Sequence, residues 1–500
     1  MFKNHPKGLP VLFFTEMWER FGFYTMLAIF VLYLQENFKW DAATTTNIYG
    51  IFLAAVYFTP IFGGWIADNL WGYGKTITIG AVVMGIGYAL MAVPTHSATQ
   101  LYIALLIVAL GNGLFKANIS VLVGNLYSHA DGSTKDAGYN IFYMGINIGA
   151  FYAPQAAAGI KNLMINHFHL SLAEGYNAGF GLAALGMVVS LLIFNLFKKY
   201  YKDADYQSKH VTNTEKDLQL PKEQEKERVI ALITIFAIVI FFWMSFHQNG
   251  AAMTLFAKTY TNLKVGKITY LLFDIVGLHG ILALLLGAGF FFSKDASPKA
   301  KTYSLIAMVI GAVIIGLKLS SAGNENQISP EQFQSFNPMF IVLLTPVVVG
   351  YFKYLHNKGK EPSSPGKIGI GMVLTAVTYF VMILASLGLP AVHTLNGSTS
   401  PVLVSPYWLI TSYFIITLAE LHLSPMGLSF VSKVAPPKMK GLMMGMWFGA
   451  TAVGNYLAGF IGRFYQDWEL WQFFLLLVIT SLFAAFLIAL FLKKLKHATR

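Results

Sequence analysis

Long apolar runs, broken by short polar or Gly/Pro-containing stretches, recur from end to end of the chain. A run of about 18 or more mostly apolar residues suffices to cross a bilayer as a helix. Six such runs fall at about 11–34, 46–67, 76–94, 101–124, 139–159 and 173–197. A polar, lysine-rich stretch from 198 to 228 follows. Eight further runs lie at about 229–257, 268–292, 302–321, 336–352, 368–389, 405–432, 441–462 and 470–492. The pattern predicts an all-α membrane protein with fourteen spans. It divides into a six-helix bundle over 1–198, a cytoplasmic linker at 199–228 and a second bundle over 229–500. No period of 20–50 residues is visible, which speaks against stacked helical repeats. Two bundles joined by a linker are instead the layout of transporters that rock about a midplane site.

Composition agrees. Of 500 residues, 56% are hydrophobic and only 12% charged, about half the charge of a soluble chain. A water-soluble enzyme, a disordered scaffold and a nucleic-acid-binding domain are therefore poor readings. The net charge of +12 is explained by where the cations sit. With the N-terminus inside, 26 of the 35 Lys and Arg fall on the side of the termini and six on the other, so both termini are expected in the cytoplasm. The opening MFKNHPKGLP is too short and polar for a cleaved signal. The chain has no cysteine, which excludes disulfides, thiol catalysis and cysteine metal sites. Neither a Walker loop nor an HExxH motif is present, so no metal or organic cofactor is expected.

The chemistry lies in the charges placed inside spans, each costing roughly 2.5–3.5 kcal/mol at a helix centre on insertion scales. Glu16, Glu19 and Arg20 share one face of the first span. Arg20 lies about 15 Å beyond Pro10 at 1.5 Å per residue, too deep for a simple end effect. A salt bridge pinning the first helix to a neighbour would also account for them, but two carboxylates and one guanidinium leave an excess acid able to take a proton. Lys116 stands near the middle of the fourth span between distant ends, and Gly111 and Gly113 one turn earlier permit close helix approach. His247 and Glu420 sit at mid-depth of the seventh and twelfth spans, and Pro425 after Glu420 frees a carbonyl where a helix bends around a cavity. His422, Asp274 and His279 are weaker candidates. Asn147 and Asn337 add neutral polar groups, equally suited to interhelical hydrogen bonds. Tyr24, Tyr57, Trp243 and Trp447, taken alone, read as packing.

These motifs together resemble the proton-dependent oligopeptide transporters of the major facilitator superfamily. TEMWERFGFY (15–24) is similar to the family's ExxERFxYY signature, and GGWIADNLWGYGK (63–75) to the superfamily loop after the second helix. GNGLFKANIS (111–120), FYMGINIGAF (142–151), FWMSFHQNG (242–250), FNPMFI (336–341), ELHLSPMGLS (420–429) and GMWFGATAVGN (445–455) follow in the family's order. The resemblance implies the major facilitator fold, two six-helix bundles plus two extra transmembrane helices, and a symporter that imports di- and tripeptides with the proton as coupling ion. It implies that Glu16, Glu19, Arg20, Lys116 and His247 serve proton coupling. Arg20 and Lys116 would face the peptide carboxylate, while Asn147, Asn337 and Glu420 receive its amine and Tyr24, Tyr57, Trp243, Ser424 and Trp447 line side-chain pockets.

Three departures alter the expectation. Phe23 replaces a signature tyrosine and Leu27 a later polar residue, which leaves room for a member that moves other anionic or amphipathic solutes. His247 stands where many bacterial members have glutamate, so its protonated form would repel Lys116. The extra helix pair, at about 268–321, falls after the seventh span rather than between the bundles. From a different class, a proton-translocating subunit of a membrane complex also carries buried Lys and Glu. The expected setting is a bacterial inner membrane, with a small peptide, protons and lipid as partners, no nucleic acid, and a working monomer.

Overall fold

The computed structural model describes residues 5–128, 132–205, 221–293, 296–436 and 439–497. Most of the expected linker, 206–220, thus lies outside the described residues. Fourteen long helical runs are present among those described: α1 (Gly8–Phe38), α2 (Ala42–Trp71), α3 (Tyr73–Ala92), α4 (Ala98–Leu126), α5 (Gly132–Phe168), α6 (Leu172–Leu196), α7 (Lys222–Tyr260), α8 (Ile275–Phe292), α9 (Pro298–Ser321), α10 (Pro330–Asn357), α11 (Ser364–Ser386), α12 (Tyr407–Val434), α13 (Lys440–Asp467) and α14 (Leu470–His497). Eleven of them are long and apolar enough to cross a membrane by length and composition. The other three, α1, α5 and α13, are long enough but more polar. Their runs are broken by Glu16, Glu19 and Arg20, by Asn140 and Asn147, and by a glycine-rich stretch with Asn455.

Local sequence sets many of the ends. Asp41, Ser97, Asp274, Ser297 and Ser363 each accept a hydrogen bond from a first-turn backbone N–H, and Ser171 with Glu174 forms a capping box at α6. Asp274, read above as an intramembrane charge, is the cap of α8 and pairs with Lys318 of α9 at 3.0 Å. The stretch 222–228, read as linker, is the opening of α7.

Helix α1 is apolar on every side over Met26–Leu34 and buried throughout that stretch, as expected for a helix ringed by neighbours. It packs on α5 and α6, while α3 packs on α4 and α6. In the second group α11 packs on α12 and α14, and α13 on α7. The groups meet where α2 crosses α13. There Gly50 and Gly459 let the backbones touch: a methyl on Gly50 would lie 2.5 Å from the Gly459 Cα.

Among the described residues, the hydrogen bonds and ion pairs that join the two groups all lie toward the end away from the chain termini. Lys161 on α5 donates to Glu331 at 2.6 Å and to Ser329 at 3.2 Å. Gln332 donates to Gln155, Gln334 to the Ala28 carbonyl and Ser335 to the Phe151 carbonyl. Lys161 falls beyond the predicted span at 139–159, yet α5 runs on to Phe168 and Lys161 is buried. The carboxylate of Glu331 supplies the partner that a buried cation requires. Removing one member of such a pair costs about 3–5 kcal/mol, so Glu331→Gln is expected to open this end. Spin labels on Thr44→Cys and Ser398→Cys, free of background in a cysteine-less chain, should move apart. Adding Lys161→Met to Glu331→Gln should bring them partly back.

Helices α8 and α9 form the extra hairpin. A two-residue ladder at its base pairs β1 (Lys264–Val265) with β2 (Asn326–Gln327), antiparallel. Gly280 and Gly311 let the two helices approach closely, and most of the outward surface is apolar. Although inserted in the second group, the hairpin touches the first: the Tyr152 hydroxyl of α5 and Nε2 of His279 are 2.5 Å apart, with the rings stacked at 5.4 Å.

Candidate functional site

A cavity of about 250 Å³ lies between the groups, far larger than the ~10–15 Å³ that one water needs. Each helix that lines it contributes a polar residue singled out in the sequence. From α1 come Glu16, Arg20 and Tyr24, from α2 Tyr57, from α4 Lys116 and from α5 Asn147. The other group brings Trp243 and His247 on α7, Asn337 on α10, Glu420 and Ser424 on α12 and Trp447 on α13. Glu19, another candidate, is fully buried and does not line the cavity. His422 bonds the Leu418 carbonyl and, like Asp274 and His279, lies away from it.

On the α1 side, the Glu19 carboxylate grips the Arg20 guanidinium through Nε and Nη2. Glu16 lies one turn earlier, with Oε1 3.5 Å from Arg20 Nε and Oε2 without a protein partner. The guanidinium also covers the Phe23 ring at 4.7 Å. Lys116 Nζ stands 4.0 Å from the Tyr57 ring centre. The spacing that puts it there is visible in α4: Gly113 abuts Thr59 and Gly111 abuts Met84, so α4 presses against α2 and α3 without side-chain bulk. The same Tyr57 ring meets His247 edge-on at 6.1 Å.

Helix α7 breaks at this depth. Its regular part ends at Phe246, His247–Asn249 form a 3₁₀ turn and helix resumes at Ala252. Irregular backbone is tolerated within a bilayer where it lines a cavity. His247 stacks on Trp243 at 5.7 Å. On α10 and α12, Asn337 donates to Glu420 at 2.9 Å and to Thr417 at 3.0 Å. Pro425 lies inside α12, and Gly427 leaves space for the Trp447 indole, which a methyl would strike.

Two charged residues of the cavity have no ion-pair partner. Among the described residues, Lys116 has no carboxylate within 4.0 Å and Glu420 no cation, and they come from opposite groups of helices. The Glu16 Oε2, Trp243 Nε1, His247 Nε2 and Ser424 Oγ atoms are also buried without a hydrogen-bond partner. Such atoms are costly unless something polar enters. The arrangement suits a small solute with an anionic and a cationic end and apolar parts between. No cluster able to hold a metal ion occurs among the described residues.

Several lining residues escaped the sequence reading, including Tyr143, Asn249 and Gln334. Gln334 stands near a span end, where polar residues are ordinary, and Asn249 is a neutral residue two positions from His247. Asn112, behind the cavity, also went unmarked. Its signal was present: a polar residue at mid-span between Gly111 and Gly113.

A family model described as the POT family matches residues 74–220 and 307–472, well over half the chain. The chain belongs to the POT family. This POT member has relatives along nearly its full length. It is 31% identical to the uncharacterized transporter YclF of Bacillus subtilis (strain 168), over 92% of this chain and 89% of that one. It is also 31% identical to a di-/tripeptide transporter of Lactococcus lactis subsp. cremoris, over 91% of this chain and 88% of that one. A crystal structure of the peptide transporter POT in complex with sulfate superposes with a TM-score of 0.75 at 26% identity, covering 100% of this chain and 96% of that one. The POT family assignment and this superposition agree with the major facilitator fold and with a transporter rather than an enzyme.

Proposed function

We propose that this POT family member is a proton-coupled symporter that imports di- and tripeptides by alternating access. The observation that carries the reading is the pair of unpaired opposite charges, Lys116 and Glu420, facing one chamber from different groups of helices. A peptide zwitterion has the matching poles. Its carboxylate meets Lys116 and Arg20, its ammonium meets Glu420 and Asn337, and the Tyr24, Tyr57, Trp243 and Trp447 surfaces take the side chains. The name of the Lactococcus relative, a di-/tripeptide transporter, supports the same substrate class.

Protons enter at Glu16 and Glu19. With both ionised, the α1 cluster carries one more negative than positive charge, which a bilayer interior disfavours. Protonation removes that excess and loosens the Glu19 grip on Arg20, freeing the guanidinium for the substrate. With both termini cytoplasmic, the end bolted by Lys161 and Glu331 faces outward, and the chamber empties toward the cytoplasm of a bacterial inner membrane. The protein is taken to work as a monomer with no cofactor beyond the proton. Uptake of a labelled dipeptide into proteoliposomes should require an inward proton gradient and be inhibited by other dipeptides. Uptake indifferent to the gradient, or competed by nitrate and not by dipeptides, would refute this function.

A further inference from the structure

We infer that Asn112 is a positioning residue for Arg20, deciding which edge of the guanidinium faces the chamber. The inference rests on the transport reading above. Asn112 is fully buried at mid-depth of α4 and does not line the cavity. One end of its amide lies 2.9 Å from Arg20 Nη2 and 3.5 Å from Glu19 Oε1, and the other lies 3.3 Å from the Val56 carbonyl. Both ends find partners when the amide is turned so that its oxygen accepts from Arg20 Nη2 and its nitrogen donates to the Val56 carbonyl, and that is the orientation assigned. Its reach depends on its two neighbours: Gly111 and Gly113 bring the α4 backbone against α2 and α3, so the short side chain spans from Val56 to α1.

The guanidinium is a fixed fork of five N–H donors. Glu19 takes Nε and Nη2, and Asn112 takes Nη2. No acceptor among the described residues bonds Nη1, and Arg20 itself lines the chamber. One edge is therefore held toward the protein and one nitrogen is left for the solute. The two holds differ in kind. Glu19 is a carboxylate that weakens as an acceptor when it takes a proton, whereas the amide of Asn112 does not titrate. After proton uptake Asn112 is the acceptor still holding that edge, so Nη2 stays occupied and only Nη1 is offered to the chamber.

Two substitutions should move binding in opposite directions. Asn112→Asp keeps the shape and makes the acceptor anionic, which adds the attraction of an ion pair to a bond whose donor is already charged. Arg20 is then held back, and the KM for labelled dialanine in proteoliposomes is expected to rise about tenfold with little change in kcat. Asn112→Leu removes the acceptor, freeing Nη2 for the solute, and KM should fall by about threefold, an effect within the range of one lost hydrogen bond. A role in packing alone would raise or spare KM in both. The arginine itself provides a readout independent of any substrate. The chain has four arginines, so nitrogen-15 arginine NMR can follow Arg20, whose side-chain proton exchange should quicken in the leucine variant and slow in the aspartate variant. KM shifts in the same direction, or unaltered exchange in both, would overturn the inference. If the leucine variant does not fold, unchanged exchange in the near-isosteric aspartate variant overturns it alone. Failure of the unsubstituted chain to take up dipeptide would count against the proposed function, leaving the exchange measurement to decide the role of Asn112.

Discussion

Replacing Glu16 and Glu19 together by glutamine is expected to reduce gradient-driven dipeptide uptake to the rate seen without a gradient, while counterflow exchange of labelled for unlabelled peptide persists. The two substitutions keep size and remove both protonatable groups of the α1 cluster. What remains is Arg20 without a carboxylate. At 3.5 Å and an effective dielectric of 20, one carboxylate–guanidinium attraction amounts to about 5 kcal/mol, so the guanidinium is permanently released to the chamber and the substrate no longer depends on a proton to recruit it. Net symport then stops, because no proton travels with the peptide, although binding and the swing between end states continue. Undiminished gradient-driven uptake by the double variant would refute Glu16 and Glu19 as the coupling site.

The second large effect is expected from Glu420→Gln. Glu420 is the unpaired anion of the chamber, and Asn337, at 2.9 Å, holds its carboxylate in place. Losing one member of a desolvated charge pair costs about 2–5 kcal/mol, so dipeptide affinity should fall by at least about thirtyfold. A chemical control separates this from general damage. N-acetyl dipeptides lack the ammonium, and the original chain should bind them far more weakly than free dipeptides. In the variant that difference should nearly vanish. If Glu420→Gln weakens both ligands equally, the amine does not bind there.

The sequence made the helices legible because a bilayer imposes one strong rule, a minimum apolar length, and nearly every run obeys it. The three helices that fall short of an apolar criterion, α1, α5 and α13, contribute Glu16, Arg20, Asn147 and Trp447 to the chamber. The departure from the pattern was thus itself a mark of the site. Charge deep within a span located Glu16, Arg20, Lys116 and Glu420, because burial makes such residues rare. The same rule gave no warning of Lys161, whose helix simply outlasts its apolar run. Nor did it reveal Glu331 or Gln334, which look like loop residues until α10 is seen to begin with a 3₁₀ turn against the other group of helices. Proximity in sequence did not show that Glu19, which shares a helical face with Glu16 and Arg20, is fully buried and kept out of the cavity. Neutral Asn112 carried too small a penalty to stand out.

The hairpin of α8 and α9 is threaded into the second group of helices but its imidazole rests on the phenol of α5. In the proposed alternating-access cycle, a hairpin that travels with the second group of helices is no bystander: its Tyr152–His279 bond is broken and remade at every turnover.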